Sequence, residues 1–179
     1  MVSRLTRVNQ TWAIAYDSAF ADPMFPKVSE LNDRRFVHLI SCALTEDGTE
    51  LVLADSELSN VMTFCSRGNE STPTNGNVTA SLQWLKDANT GGAGSTVDLT
   101  SLYNKVTALL DNVDIPYWII SRTGPNASQD IPFAVGQKIK LARFTTDEPQ
   151  LVMENNGPVR GLQNPLFTGQ YKFNYTLEA

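Results

Sequence analysis

Proton transfer in this 179-residue chain has one histidine to draw on, His38. It stands in Arg35 to Leu44, where Phe36, His38, Ile40 and Cys42 alternate as one face of a strand. That pattern predicts a core or interface histidine rather than a catalytic base. No Ser-His-Asp or Cys-His arrangement has local support. Thr90 to Thr96, TGGAGST, has the glycines of a phosphate loop but lacks the lysine of G-x-x-x-x-G-K-[ST], so Ala88 to Ser95 reads as a flexible linker. Cys42 and Cys65 are too few for a disulfide scaffold or a structural zinc site and read as small buried hydrophobes, reduced and dispensable. Five Asn-X-Ser/Thr triplets begin at Asn9, Asn69, Asn77, Asn126 and Asn174 and reflect a composition rich in those residues. No catalytic, cofactor-binding or metal-binding set emerges, and the chain reads as a non-enzyme.

Charge is the more informative chemistry. Net charge is −5, against a nucleic-acid reader with its basic face. Glu46, Asp47, Glu50, Asp55 and Glu57 fall in twelve residues with no Lys or Arg between them. They form either a solvated loop and strand edge or a surface that repels polyanions. Lys138, Lys140 and Arg143 oppose them on a short strand, with the two lysines on one face and Arg143 on the other. Such a strand is either a charged edge that resists aggregation or a docking face for an acidic neighbour.

The elements that carry these residues are mostly strands. Thr11 to Tyr16, Arg35 to Leu44, Glu50 to Ala54, Ser59 to Ser66, Val78 to Lys86, Gln137 to Thr146, Gln150 to Glu154 and Leu166 to Leu177 have strand composition or alternation. Residues 20–33 form a connector with two prolines, Arg67 to Asn77 a turn or hairpin tip, and the stretch from Ser121 to Pro132 a polar turn. In the last strand Tyr171, Phe173, Tyr175 and Leu177 share a side. The one clear helix spans about residues 97–112. Leu99, Leu102, Tyr103, Val106, Leu109 and Leu110 make its apolar stripe, Thr96 or Asp98 caps it, and Asn104 lies opposite. Ile115 to Ile120 then reads as a buried strand. Seven to nine strands and one helix predict a mainly β protein, a β-sandwich or barrel with one flanking helix. No stretch has the length of a membrane span, and no signal peptide is read at the N-terminus.

The order from Ser59 onward resembles that of the major tail tube proteins of long-tailed, non-contractile bacteriophages. A strand with an aromatic near its end (SLQWLKD) leads through a Gly/Ser linker to a helix (TSLYNKVTALLD) and a strand ending in a charged turn (PYWIISRTG). FAVGQKI, a strand, a threonine-rich turn ending in Asp-Glu-Pro-Gln and an aromatic C-terminal strand follow. The resemblance implies a single domain over 1–179, with segment 1–33 available as an arm or connector between rings. It implies hexameric rings, stacked head to tail into a virion tail tube and assembled in the bacterial cytoplasm. Inner strands of neighbouring subunits would form one barrel around DNA that passes without specific binding. Partners would be further copies, a tape measure and a terminator, with no membrane and no cofactor. On this view Glu46 to Glu57 belong to the lumen or its rim, and Lys138, Lys140 and Arg143 to contacts between subunits. Another virion component of related fold, such as a tail terminator, connector or decoration protein, or a carbohydrate-binding β-sandwich, is the alternative.

Overall fold

The computed structural model describes residues 9–54, 58–61, 70–73, 77–87, 100–124, 131–153 and 157–179. Eleven strands are present among them: β1 Gln10–Tyr16, β2 Val37–Leu39, β3 Glu50–Ala54, β4 Leu58–Val61, β5 Glu70–Pro73, β6 Asn77–Leu85, β7 Pro116–Thr123, β8 Lys138–Thr145, β9 Gln150–Val152, β10 Arg160–Gln163 and β11 Leu166–Thr176. Helix α1 is a single turn, Val28–Leu31, and α2 is Leu102–Leu110. Two antiparallel sheets pack as a sandwich: β11-β8-β7-β1-β2, and β3-β6-β10-β9. Strands β4 and β5 form a separate antiparallel pair.

The five-stranded sheet is covered on both faces. Trp12, Ile14, Tyr117, Ile119, Ala142 and Phe144 meet Leu51, Val78, Ala80, Leu82 and Trp84 of the other sheet, with Val106 and Leu110 of α2 closing the side. On the opposite face Ala13, Ala15, Val37, Trp118, Ile120, Ile139 and Leu141 lie beneath Phe20, Leu31 and Phe133. A strand buried on both sides gains from apolar residues at every position, and Tyr117 to Ile120 are all buried.

Several local expectations are corrected. The second strand stops at Leu39 and passes into a 3-10 turn, Ser41–Ala43. Ser41 Oγ accepts from Trp12 N at 2.7 Å and donates to Trp12 O at 3.2 Å, occupying the partners a continuing strand would need. Cys42 is exposed, not buried; Cys65 lies outside the described residues, as does the linker from Ala88 to Ser95. Glu70–Pro73 is a strand inside the run read as a turn. Ser121, Arg122 and Thr123 continue β7, and β10 has no counterpart among the strands read from sequence.

Of the segment 1–33, residues 10–33 pack on their own subunit. Strand β1 is hydrogen-bonded between β7 and β2, and the connector after it covers the sheet. Strand β11 does not keep one side inward. Its register shifts between Phe167 and Tyr171 and again between Lys172 and Tyr175, with Gly169 at φ 88° and Asn174 at φ 60°. Tyr171 and Phe173 therefore pack on the inter-sheet core, whereas Tyr175 and Leu177 join the opposite one.

Helix α2 is fastened through Trp84, whose Nε1 donates to Thr107 Oγ1 at 3.1 Å. The Trp84 ring lies over Gly161, its cross-strand partner, where an added Cβ would stand 2.3 Å from Cζ2. Gly161→Ala is expected to cost about 1–3 kcal/mol through overpacking of a fully buried ring. Urea unfolding followed by tryptophan fluorescence measures it, and an unchanged midpoint would contradict the packing described.

Candidate assembly interface

The four-stranded sheet ends in β3 on one side and β9 on the other. Antiparallel pairing puts directly opposed residues on one face. Leu53 opposes Val78, and Leu151 opposes Gly161, which opposes Trp84. Leu53 and Leu151 thus face the side on which the sandwich core lies, as does Met153 two residues on. Yet Leu53 is 51%, Leu151 58% and Met153 72% exposed. Both edge strands carry apolar side chains that overhang the core. Because β3, β6, β10 and β9 alternate in direction, β9 of one copy and β3 of another would meet antiparallel if the copies were related by rotation.

The other face of this sheet carries Glu50, Val52 and Ala54 from β3, Asn77, Thr79, Ser81, Gln83 and Leu85 from β6, Arg160 and Leu162 from β10, and Gln150 and Val152 from β9. Glu50 and Arg160 are its only charged side chains among the described residues. Gln83 anchors the turn that precedes β3: Thr45 N donates to Gln83 O at 2.8 Å, Thr45 Oγ1 to Gln83 Oε1 at 2.7 Å, and Gln83 N to Thr49 Oγ1 at 3.2 Å. Gly48, at φ 104°, closes that turn against Gln83, leaving Glu46 and Asp47 exposed at the strand end. The structure therefore brings Glu46, Asp47 and Glu50 to one end of β3; Asp55 and Glu57 lie outside the described residues.

The basic strand divides. Lys138 is exposed, and Lys140 Nζ lies 5.4 Å from the Phe173 ring centroid. Arg143, on the opposite face, is engaged within its own subunit. Its Nε donates to Asp17 Oδ1 at 2.9 Å and its Nη2 to Oδ2 at 2.5 Å, a bidentate pair. Of the helix set, Val106 and Leu110 are fully buried, Leu102 and Leu109 pack partly against the core, and Leu99 lies outside the described residues. Tyr103 is exposed and Asn104 is buried, which reverses their expected sides. The helix starts at Leu102, later than its stripe suggests, and Ser101 at its N-cap donates to Asp87 Oδ2 at 2.9 Å instead of capping. Thr96 and Asp98, the expected caps, lie outside the described residues.

Arg122 is a residue that sequence reasoning placed in a polar turn. It is 1% exposed and holds the outer layer together. Nη1 donates to Pro132 O at 2.8 Å and Gln137 Oε1 at 3.0 Å, and Nη2 to Ile131 O at 2.7 Å and Thr11 Oγ1 at 3.0 Å. The guanidinium also lies over Phe133, 4.5 Å from its centroid. Burial, then the nearby Arg34, lowers its pKa. His38 is half-buried on β2, edge-on to Tyr16, with its pKa lowered by burial and by Lys105.

Among the described residues no group of three His, Cys, Asp or Glu is placed to hold a metal, and no helix is long and apolar enough to cross a membrane. The class is an antiparallel two-sheet β-sandwich with apolar residues exposed on the edge strands of its smaller sheet. A family model described as a phage tail tube protein matches residues 1–179, the whole chain, and the chain belongs to the phage tail tube family. Membership makes it a structural component of the virion tail, working among other tail proteins. No curated protein matches it.

The Asp17–Arg143 pair sets a pH dependence. Arg143 holds the Asp17 carboxyl below its usual value, against an opposing contribution from burial. A depressed native pKa stabilises the fold above the unfolded value of about 3.9 and loses that contribution as acid protonates the native carboxylate. Asp33, held to about 2 by Arg35, titrates in the same direction. Stability of the wild type should fall below about pH 4, and Asp17→Asn should flatten part of that decline when Asp33→Asn serves as the parallel control. Identical acid profiles for Asp17→Asn and wild type would contradict the assignment.

Proposed function

We propose that β9 of one copy pairs with β3 of the next, closing hexameric rings whose head-to-tail stacks form a tail tube. The observation that carries this reading is the exposure of Leu53, Leu151 and Met153 on the core-facing side of two edge strands. Pairing the edges covers those side chains and the free backbone groups together, and closure leaves the ring without a sheet edge. The outward face of the four-stranded sheet then lines the lumen. Its Thr, Ser, Asn and Gln residues, with one acid and one base per copy among the described residues, suit a passive conduit. A basic lining would hold DNA phosphates through counterion release, whereas a near-neutral one leaves the duplex mobile. Glu46, Asp47 and Glu50 sit at the rim of such a lumen, Lys138 and Lys140 are available to an acidic face of a neighbouring copy, and a tape measure and a terminator are further partners. The subunit acts without cofactor or chemistry.

Two variants test the two halves of this reading. Leu151→Asp with Met153→Asp should leave circular dichroism unchanged while negative-stain images show no rings or tubes; tubes of normal appearance would move the interface elsewhere. Thr79→Lys with Ser81→Lys should form tubes but slow DNA ejection, most strongly at low ionic strength. Ejection unchanged at every salt concentration would place this face outside the lumen.

A further inference from the structure

The backbone of β6 fixes which groups stay free at both edges of the four-stranded sheet. Gln83 turns both of its own toward the β3 side: its carbonyl accepts from Thr45 N at 2.8 Å, and its N–H donates to Thr49 Oγ1 at 3.2 Å. Lys86 N donates the other way, to Val159 O at 3.0 Å beside β10. Successive residues of a strand point their backbone groups to opposite sides, so odd-numbered residues of β6 bond toward β3 and even-numbered ones toward β10. Across an antiparallel sheet, a row of directly opposed residues alternates bonded and non-bonded pairs. Val78 and Trp84 bond toward β10, which turns Leu53 away from β6 and, through Gly161, turns Leu151 away from β10. Leu51 and Met153, two residues along each chain, follow in phase.

The outward N–H and C=O groups of both edges thus belong to Leu51, Leu53, Leu151 and Met153, the same residues whose side chains face the core side. An antiparallel partner that satisfies those groups also keeps the two apolar sets on one face, so only registers that differ by two residues are open. With Leu151 against Leu51, Val152 meets Glu50 and Leu53 lies beyond the end of β9. With Leu151 against Asp55, Gln150 and Leu151 both lie beyond the end of β3. With Leu151 against Leu53, all of β9 meets β3: Gln150 opposes Ala54, Val152 opposes Val52, and Met153 beyond the strand opposes Leu51.

We propose that neighbouring copies join in this last register, Leu151 against Leu53, where three successive positions set apolar against apolar. The proposal rests on the edge pairing described above and fixes what that pairing leaves open, the tilt of the strands and the width of the ring. Within one copy Leu53 stands opposite Val78, whereas Leu151 stands, through Gly161, opposite Trp84, six residues further along β6. Joining Leu151 to Leu53 therefore displaces each four-stranded sheet by six residues against the next. At about 3.3 Å per residue and 4.8 Å between strands, that shear tilts the strands by about 45°, and six copies close a barrel of backbone radius about 26 Å. The registers two residues to either side would close at radii of about 22 Å and about 31 Å.

Val52→Cys with Val152→Cys, in a Cys42→Ser, Cys65→Ser background, is assembled under reducing conditions and then oxidised. The two positions form a non-bonded pair in the proposed register, with Cα atoms about 4.5 Å apart and inside the disulfide range of about 4.4–6.8 Å. Diagonal neighbours stand about 7–8 Å apart, outside it. Non-reducing gels should show a ladder of covalent multimers rising to the hexamer, and none for Glu50→Cys with Val152→Cys or Ala54→Cys with Val152→Cys. A stronger ladder from either of those pairs overturns the register and leaves the edge pairing standing. Tubes that give no ladder with any of the three overturn both. Electron cryomicroscopy of the wild-type tube is the second measurement, free of substitutions. A wall of backbone radius about 26 Å is expected, and one of about 22 Å or about 31 Å overturns the register. Wild type that never forms rings overturns pairing and register together.

Discussion

Trp84 can lie across the four-stranded sheet only because residue 161 has no side chain. The ring occupies the space a Cβ would need, and its indole N–H reaches Thr107 on α2. One contact thus ties the β6–β10 pair to the seat of the helix. Neighbouring polar groups reinforce the same junction. Tyr117 Oη donates to Gln163 Oε1 at 3.0 Å, and Gln163 Nε2 donates to Leu110 O at 2.6 Å and Asp147 O at 3.1 Å. The end of the helix, the start of β7 and the end of β10 are therefore held through one fully buried amide. Burial drives the Tyr117 hydroxyl far above its usual pKa, so it remains a neutral donor.

Around that junction the sandwich divides its surfaces by role. The five-stranded sheet spends both faces on packing, with Arg122 tying residues 131–137 across its outer side. The two terminal nitrogens of Arg122 donate to carbonyls, an amide and a hydroxyl, with no carboxylate among these partners, while the buried Nε has no partner among the described residues; removing the side chain would strand several acceptors. The four-stranded sheet packs on one face only. Its uncovered face is largely polar and its edges are apolar, an arrangement suited to a protein whose neighbours are copies of itself.

Much of this was legible in the chain, and the misses have identifiable causes. Val78, Ala80, Leu82 and Trp84 alternate without interruption, and β6 is a one-face-buried strand that period-two reading detects. Tyr117 to Ile120 read as buried because both faces are covered. Arg160–Gln163 offers only four residues with a glycine among them, and its strand character comes from the partners on either side. Arg122 looked like loop chemistry because arginine seldom goes inside, and the acceptors that receive its protons, the carbonyls of residues 131 and 132, the Gln137 amide and the Thr11 hydroxyl, stand at no simple period from it. Alternation in the tail failed at Asn174, since a bulge inverts the face of every residue beyond it. Asn104 falls opposite the stripe of Leu99, Leu102, Tyr103, Val106, Leu109 and Leu110 by helical spacing, yet its place on the helix is buried and Tyr103 is the exposed one. Within the edge strands, sequence showed apolar residues but not that Leu53, Leu151 and Met153 outrun the core that should cover them.

The inversion in β11 has a mechanical consequence. Strands β1, β7 and β8 reach both cores by alternation; β11 does so by changing face along its length, contributing Tyr171 and Phe173 to one core and Tyr175 and Leu177 to the other. Lys172, between the two pairs, lies 3.5 Å from the Phe25 centroid and 4.5 Å from that of Tyr175, with Nζ donating to Met24 O. Neither core can loosen along β11 without pulling on the other, so at this edge too, as in the central strands, opening of the two is expected to be a single cooperative event with shared amide-exchange protection.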